Sequence, residues 1–170
     1  MQTDRENDWA FEKKVTLQMD RRTAAYLVGD GRANLRRLER ASLARIFVGT
    51  DLVTIQGTLA QIDLARLCID VMLSFRREST AKLPFEDIER RKDVSMLDVP
   101  VETGGFLVGK KGQSQRTQEE KFGVLMFFDN DRIRQCKYGP CKRLYVIGTR
   151  NNREGVLDEA EDVVRCGAAC

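Results

Sequence analysis

The sequence of 170 residues contains no histidine. Histidine is the usual general base of enzymes, it activates serine and cysteine nucleophiles, and it ligates most catalytic zinc ions. Its absence removes the commonest routes to catalysis. We therefore expect a protein that is not an enzyme and that needs no cofactor.

Long apolar runs are also lacking, since none reaches the roughly 18 residues that a membrane span requires. The most apolar segment, 59–75, is interrupted by Gln61, Asp63, Arg66 and Asp70. This pattern predicts a buried helix that packs on more than one side. The first eleven residues, MQTDRENDWAF, lack the apolar centre of a secretory signal. We expect no membrane association and a location in the nucleus or the cytoplasm.

The net charge is only +3, from 29 basic and 26 acidic residues. The basic residues are unevenly distributed, however. Segment 132–143, RIRQCKYGPCKR, contains five cations and no acid, and segment 28–45 contains five arginines against two acids. The sequence thus has two local basic patches on a nearly neutral chain.

Apolar periodicity and chain breakers predict two halves with the same order of elements: strand, helix, glycine turn, helix, strand, strand, helix. In the first half these are a strand at 12–19, a helix with Asp20 as its N-cap, a turn at 29–32, an arginine-rich helix, two strands around 49–51 and the helix 59–75. In the second half they are a strand at 94–99, a helix at 101–108, a turn at 109–112, a polar helix, a strand at 123–129, a basic loop, a strand at 143–147 and a helix from about 152.

A shift of 80 residues aligns the two halves through their glycine turns without a gap. We therefore predict an α+β protein of two units, each a three-stranded antiparallel sheet backed by three helices. The predicted ranges are a flexible tail at 1–11, a first domain at 12–76, a charged linker with a short helix at 77–93, a second domain at 94–165 and a C-terminal tail at 166–170.

At these residues the chain resembles a tandem of KH domains of the eukaryotic type, also called type I. KH domains are nucleic-acid-binding modules with this element order and a GXXG loop between the first two helices. Segment 109–112 (GKKG) matches GXXG in full, whereas segment 29–32 (GDGR) ends in arginine. The resemblance implies that the loop lies along the backbone of about four single-stranded nucleotides and that bases occupy an adjacent groove.

Elementary physical chemistry also predicts that this loop binds anions. Glycine lets the backbone approach a phosphate, the following helix presents unpaired N–H groups and a positive dipole end, and the two lysines add charge. The residues expected to contact single-stranded RNA are Gly109, Lys110, Lys111, Gly112, Arg132, Arg134, Lys142 and Arg143 in the second half and Gly29, Gly31, Arg32, Arg36 and Arg37 in the first. Single-stranded DNA stays open as an alternative ligand.

Each half also departs from the pattern. Asp30 repels a phosphate, so we expect the first loop to bind nucleic acid less well than the second and to be mainly structural. Gln115 and Gln118 stand where the KH family usually has aliphatic side chains facing the core. These two residues predict a short or frayed helix in the second half.

Three other hypotheses compete with RNA binding. Segment 104–111 spells GxxxxGK, but Lys111 replaces the serine or threonine that would ligate magnesium, which argues against a nucleotide hydrolase. Degenerate KH folds could instead form a protein-interaction scaffold that pairs through the apolar helix 59–75 of the first domain. A basic run is also commonly a solvated surface loop.

The five cysteines leave one question open. Cys136, Cys141, Cys166 and Cys170 form two closely spaced pairs that could together ligate structural zinc. Free thiols in a reducing compartment are the alternative. Cys68 lies on the apolar face of its predicted helix, so we expect it in the core.

Overall fold

A computed structural model describes residues 12–76, 79 and 82–169 of the chain. The chain divides into two units, residues 1–83 and 84–170. Each unit contains its own antiparallel sheet with helices. The predicted α+β class with two KH-like units is therefore confirmed.

The first unit follows the predicted order of elements. They are β1 (Lys13–Gln18), α1 (Arg21–Val28), a 3₁₀ turn (Asp30–Arg32), α2 (Ala33–Ser42), β2 (Arg45–Val48), β3 (Leu52–Gly57) and α3 (Leu59–Ser74). The antiparallel sheet has the strand order β1-β3-β2, so β2 is an edge strand. Asp20 caps α1 as predicted, because its carboxylate accepts from the Thr23 N–H at 2.9 Å.

One face of this sheet forms the core of the first unit. Val53 and Ile55 of the central strand and Ile46 of the edge strand are buried. Helix α3 is buried over most of its surface, as its composition predicts, and Cys68 is fully buried on it. Only Leu59 and Phe75, at its two ends, are large apolar side chains left exposed.

The second unit repeats this order with two additions. Its elements are α4 (Phe85–Glu89), β4 (Val94–Pro100), α5 (Val101–Val108), a 3₁₀ turn (Lys110–Gly112), α6 (Gln113–Phe122), β5 (Leu125–Phe128), β6 (Arg134–Cys136), β7 (Gly139–Ile147) and α7 (Arg150–Ala169). The strand order is β4-β7-β5, and β6 pairs with β7 beyond the end of β5. Strand β5 is thus the counterpart of β2.

The second sheet has four strands where the sequence predicts three. Segment 132–143, expected to be a basic loop, contributes β6 and the start of β7, with Arg134 opposite Cys141 and Cys136 opposite Gly139. Gly139 has a φ of +103°, a left-handed conformation that glycine adopts at little cost in the hairpin turn. The sequence does not reveal this hairpin, because Gly139, Pro140 and interspersed polar and charged residues leave no apolar alternation.

Two further expectations differ from the structure. Helix α6 is a full ten-residue helix, not a short or frayed one. The short helix α4 falls within the range expected to be a linker, but it belongs to the second unit, where Ile88 is buried and Phe85 packs on the sheet. Among the helices described, none combines the length and the apolar character needed to cross a membrane.

Candidate nucleic-acid interface

The two glycine loops have the same backbone conformation. The first residue has φ and ψ of 70° and 175° at Gly29 and of 70° and 178° at Gly109. The third residue is left-handed in both loops, at Gly31 and Lys111, and so is the fourth, at Arg32 and Gly112. The GDGR sequence therefore forms the same loop as GKKG.

The shared geometry explains why arginine is accepted at the end of the first loop. Two successive positions must be left-handed, and each loop has glycine at only one of them. The first loop has Gly31 followed by Arg32, and the second has Lys111 followed by Gly112. Each loop thus contains one non-glycine residue in a conformation that costs roughly 1–2 kcal/mol.

Glycine at the first position is required by close packing. A Cβ on Gly109 would lie 2.5 Å from the Cβ of Ser114, and one on Gly29 would lie 2.9 Å from Cγ of Asn34. The Asn34 amide also donates to the Tyr26 carbonyl at 2.8 Å, which satisfies a carbonyl near the end of α1. This contact holds the start of α2 against the end of α1.

The GKKG loop presents a concentration of positive charge at the start of α6. Lys110, Lys111 and Arg116 are all exposed. The Arg116 guanidinium donates to the Gly112 carbonyl at 3.3 Å and to the Lys111 carbonyl, which fixes it beside the loop. Glu120 is the carboxylate that shares this depression. No side chain caps α6 at Gly112, so N–H groups of its first turn are open to an anion.

The first loop has a different charge pattern on the same backbone. Asp30, Arg32 and Arg36 are exposed, and Arg37 is partly exposed on α2. No side chain caps α2 either. The carboxylate of Asp30 offsets part of the attraction of the arginines for phosphate.

The edge strand of the first unit has open backbone groups beside α2. The Gly49 N–H donates to the Leu52 carbonyl at 2.8 Å. Because hydrogen bonds alternate along an antiparallel pair, Ile46 and Val48 direct their N–H and C=O groups away from β3. Within the described ranges, no side chain bonds the backbone of Ile46. An unpaired strand edge offers both donors and acceptors to a ligand.

The corresponding edge of the second unit is occupied by its own helix. The Met126 N–H donates to Oε2 of Glu119 at 3.1 Å, and the Gln115 amide donates to the Met126 carbonyl at 2.7 Å. Glu119 is fully buried. Gln115 thus makes a specific hydrogen bond, which accounts for the intact helix α6. In the first unit Leu35 stands at the position of Gln115 and has no group to donate.

Three of the arginines expected to contact RNA instead bind carboxylates around Glu89 at the end of α4. Arg143 pairs with Asp98 at 2.8 Å and with Glu89 at 3.2 Å. Arg134 pairs with Glu89 at 3.1 Å, and Arg132 pairs with Asp129 at 2.6 Å. The Tyr145 hydroxyl also donates to Glu89, at 2.7 Å. We call these residues, Tyr145 included, the Glu89 cluster.

The Glu89 cluster lies on the sheet face opposite α5, α6 and α7. Side chains alternate between the two faces of a strand. Leu144 and Val146 of β7 belong to the core beneath the helices, and Arg143 and Tyr145 therefore point to the other face. The structure does not bring Arg132, Arg134 and Arg143 together with the GKKG loop. Lys142 lies apart from the cluster and donates to Asn130 at 3.3 Å.

Hydrogen bonds and charge shift the pKa values of this cluster. The Tyr145 hydroxyl, followed by Arg143, holds the pKa of Glu89 below its usual range. The Arg143 guanidinium lowers the pKa of Asp98. Burial and then the Glu89 carboxylate raise the pKa of Tyr145 to about 12. These interactions favour ionised carboxylates at Glu89 and Asp98 and a neutral phenol at Tyr145 at neutral pH.

The cysteines do not form the four-ligand set considered from the sequence. Cys136 and Cys141 are joined by a disulfide across the β6–β7 hairpin, and Cys166 is free and exposed. Cys170 lies outside the described residues. Within residues 12–76, 79 and 82–169, no group of three or more potential ligands could hold a metal ion.

Residues 14–70, which lie within the first unit, match the sequence profile of the KH domain. This is the half whose loop departs from GXXG, and its open edge strand lies inside the matched range. KH domains bind nucleic acid, so the match supports RNA binding at the level of the family. A comparison with curated proteins finds no match.

Solved structures with weak similarity to the chain include three archaeal examples. The complex of a/eIF2alpha, aDim2p and rRNA from Pyrococcus horikoshii OT3 has 18% identity over 94% of this chain and 89% of that chain, with a TM-score of 0.37. Dim2p from the same organism has 18% identity over 89% and 90%, with a TM-score of 0.33. A protein of unknown function from Aeropyrum pernix has 14% identity over 91% and 83%, with a TM-score of 0.31.

Proposed function

We propose that this chain is a non-catalytic protein that binds single-stranded RNA through its glycine loops and the grooves beside them. The observation that carries the proposal is the GKKG loop, where Lys110, Lys111 and Arg116 surround the uncapped start of α6. Backbone amides at a helix start and clustered cations together favour a phosphate.

The two units differ in the binding chemistry that each of them presents. The GKKG loop of the second unit holds the phosphate backbone, which fixes the register of the strand without reading sequence. In the first unit, the open backbone groups of Ile46 and Val48 can donate to and accept from base edges. Arg32 and Arg36, which are exposed in the loop and in α2, add positive charge to the same unit.

The competing hypothesis of a scaffold that pairs through helix 59–75 has less support. It requires a continuous apolar surface on α3. Eight residues of this helix are buried, and the exposed apolar side chains Leu59 and Phe75 lie at opposite ends. This arrangement leaves a partner little apolar area to cover.

A binding assay with labelled RNA tests the proposed function. The probe is a mixed-sequence single strand of about 12 nucleotides, which exceeds the roughly four nucleotides that one KH loop contacts. We expect Lys110→Asp combined with Lys111→Asp to weaken binding about tenfold or more and to flatten its dependence on salt. Fluorescence anisotropy over a series of salt concentrations measures both effects.

A matched control separates local charge from net charge. Lys82→Asp combined with Arg90→Asp changes the net charge equally at two exposed positions outside the loops. We expect this control to bind RNA nearly as well as the unaltered protein. Absent binding by the unaltered protein, or equal losses in both double variants, would contradict the proposal.

A further inference from the structure

The face of the first sheet that points away from its helices carries an exposed aromatic ring. Phe47 of β2 is 55% exposed. It lies opposite Thr54, which in turn lies opposite Thr16. The neighbouring row on the same face consists of Arg45, Gln56 and Lys14. Thr54 and Thr16 thus lie beside the ring, two cations flank it on one side, and the partly exposed Leu52 lies in the row on its other side.

In the second unit, other side chains cover the corresponding position of the sheet. Phe127 is the counterpart of Phe47, 80 residues later on β5, and only 3% of it is exposed. Tyr145 stacks on it with ring centroids 5.0 Å apart and an angle of 15°. Phe85 from α4 packs on Tyr145 at 5.4 Å, and Arg132 lies 4.8 Å above Phe85. In the second unit, therefore, aromatic rings and a guanidinium cover this face of the sheet.

The first unit has no such ring within the part of the chain that the structure describes. Thr54 stands where the second unit has Tyr145. Phe47 is thus left with one open face and room for a planar group. The surrounding apolar area is small, because Thr16, Thr54 and Gln56 border the ring and Leu52 adds one partly exposed aliphatic side chain. Apolar patches that mark protein interfaces are larger than this.

We propose that Phe47 stacks on an unpaired base of a bound RNA strand, with Lys14 and Arg45 binding the adjoining phosphates. Every base has a flat face, so an exposed ring beside cations suits single-stranded RNA without sequence preference. The carboxylate of Glu12, just before β1, accepts from the Gln56 amide at 3.1 Å. The proposal rests on the proposed function, which it extends to a second surface.

The position of Phe47 connects this surface to the proposed groove. Phe47 lies between Ile46 and Val48 on β2, and these two residues direct their backbone groups to the open edge. Successive residues of a strand are about 3.3 Å apart. A polynucleotide that contacts the edge can therefore pass round it and place its next base on Phe47.

Substitution of Phe47 tests the stacking contact. Because the ring is exposed, Phe47→Ala should fold normally, and we expect it to bind the RNA of about 12 nucleotides roughly tenfold more weakly. Phe47→Tyr should bind as well as the unaltered protein. Phe75→Ala, which removes another half-exposed ring of the same unit, serves as the matched control and should bind normally.

A fluorescent reporter provides a second measurement. The only tryptophan of the sequence is Trp9, so Phe47→Trp with Trp9→Phe places a single indole at the site. Stacking on a base should quench its emission in proportion to bound RNA. Normal RNA binding by Phe47→Ala would overturn the inference, and so would a lack of quenching when RNA is bound.

The outcomes distinguish this inference from the proposed function. If the unaltered protein binds RNA and the GKKG variant does not, but Phe47→Ala binds normally, the inference fails and the proposed function stands. If the unaltered protein does not bind RNA at all, both fail. If sedimentation shows a dimer that Phe47→Ala dissociates, the surface serves a second copy of the chain and the inference is wrong.

Discussion

The first unit leaves the outward backbone groups of its edge strand open, whereas the second unit covers them with Gln115 and Glu119 from its own helix. The loops show the opposite contrast. The second loop carries two lysines, and the first carries an aspartate and an arginine on the same backbone. A shared fold therefore does not give the two units the same binding chemistry, because a few side chains decide which backbone groups stay accessible.

The largest expected effect concerns the first glycine of each loop. Gly109→Ala should destabilise the second unit by about 3 kcal/mol, since the residue is left-handed and its Cβ would also lie 2.8 Å from the backbone nitrogen of Ser114. Gly29→Ala should cost less, about 2 kcal/mol, because the atoms it meets belong to the side chain of Asn34. Urea denaturation measures both changes.

Gly104→Ala is the control for these two variants. Gly104 lies within α5, and a Cβ there would meet nothing within 4 Å. It should leave stability unchanged or raise it by about 0.5–1 kcal/mol. Equal destabilisation by all three substitutions would contradict the role assigned to the loop.

The next effect concerns the Glu89 cluster, which has no counterpart among the described residues of the first unit. Glu89→Gln should destabilise the second unit by about 2 kcal/mol, because Arg143, Arg134 and Tyr145 lose a charged acceptor. The first unit should be unaffected. Thermal unfolding monitored by amide hydrogen exchange reports each unit separately.

The pH dependence of the second unit provides an independent check on this cluster. The lowered pKa of Glu89 contributes stability that is present above its unfolded pKa of 4.5 and is lost as the pH falls through the folded value. The raised pKa of Tyr145 contributes stability that is present below pH 10 and is lost as the pH rises towards 12. If the stability of the second unit did not change with pH in either the acid or the alkaline range, the interactions assigned to the Glu89 cluster would be refuted.

The smallest effect concerns the non-glycine residues in left-handed conformations. Arg32→Gly and Lys111→Gly should each raise stability by about 0.5–1 kcal/mol, because they relieve backbone strain but increase the freedom of the unfolded chain. Arg32→Ala, which retains the strain, is the control and should not stabilise. Destabilisation by both glycine variants would show that the loops do not share one backbone.

The order of elements could be predicted because it depends on local signals. Apolar periodicity locates the helices, Asp20 marks the start of α1, and the glycine turns align the two halves. The α+β class and the two units follow from those signals. The fourth strand could not be predicted, because the β6–β7 hairpin contains Gly139 and Pro140 and shows no alternation of apolar and polar residues.

The site could be predicted only in part, because its remaining features depend on contacts distant in sequence. Arg143 has Asp98 as a partner 45 residues away, and no local pattern reveals that pairing. Gln115 was noted as an unusual core residue, but its bond to Met126 depends on how α6 packs against β5. Arg116 was overlooked, although its spacing of four residues from Gly112 places it one helical turn into α6.

An amide-shift titration with short single-stranded RNA tests the central claim most directly. We predict the largest shifts at Gly109–Gly112 and at the start of α6, with further shifts at Ile46 and Val48 and little change at Met126, whose N–H is already bonded. Shifts confined to the β6–β7 hairpin, with the glycine loops unchanged, would contradict the account.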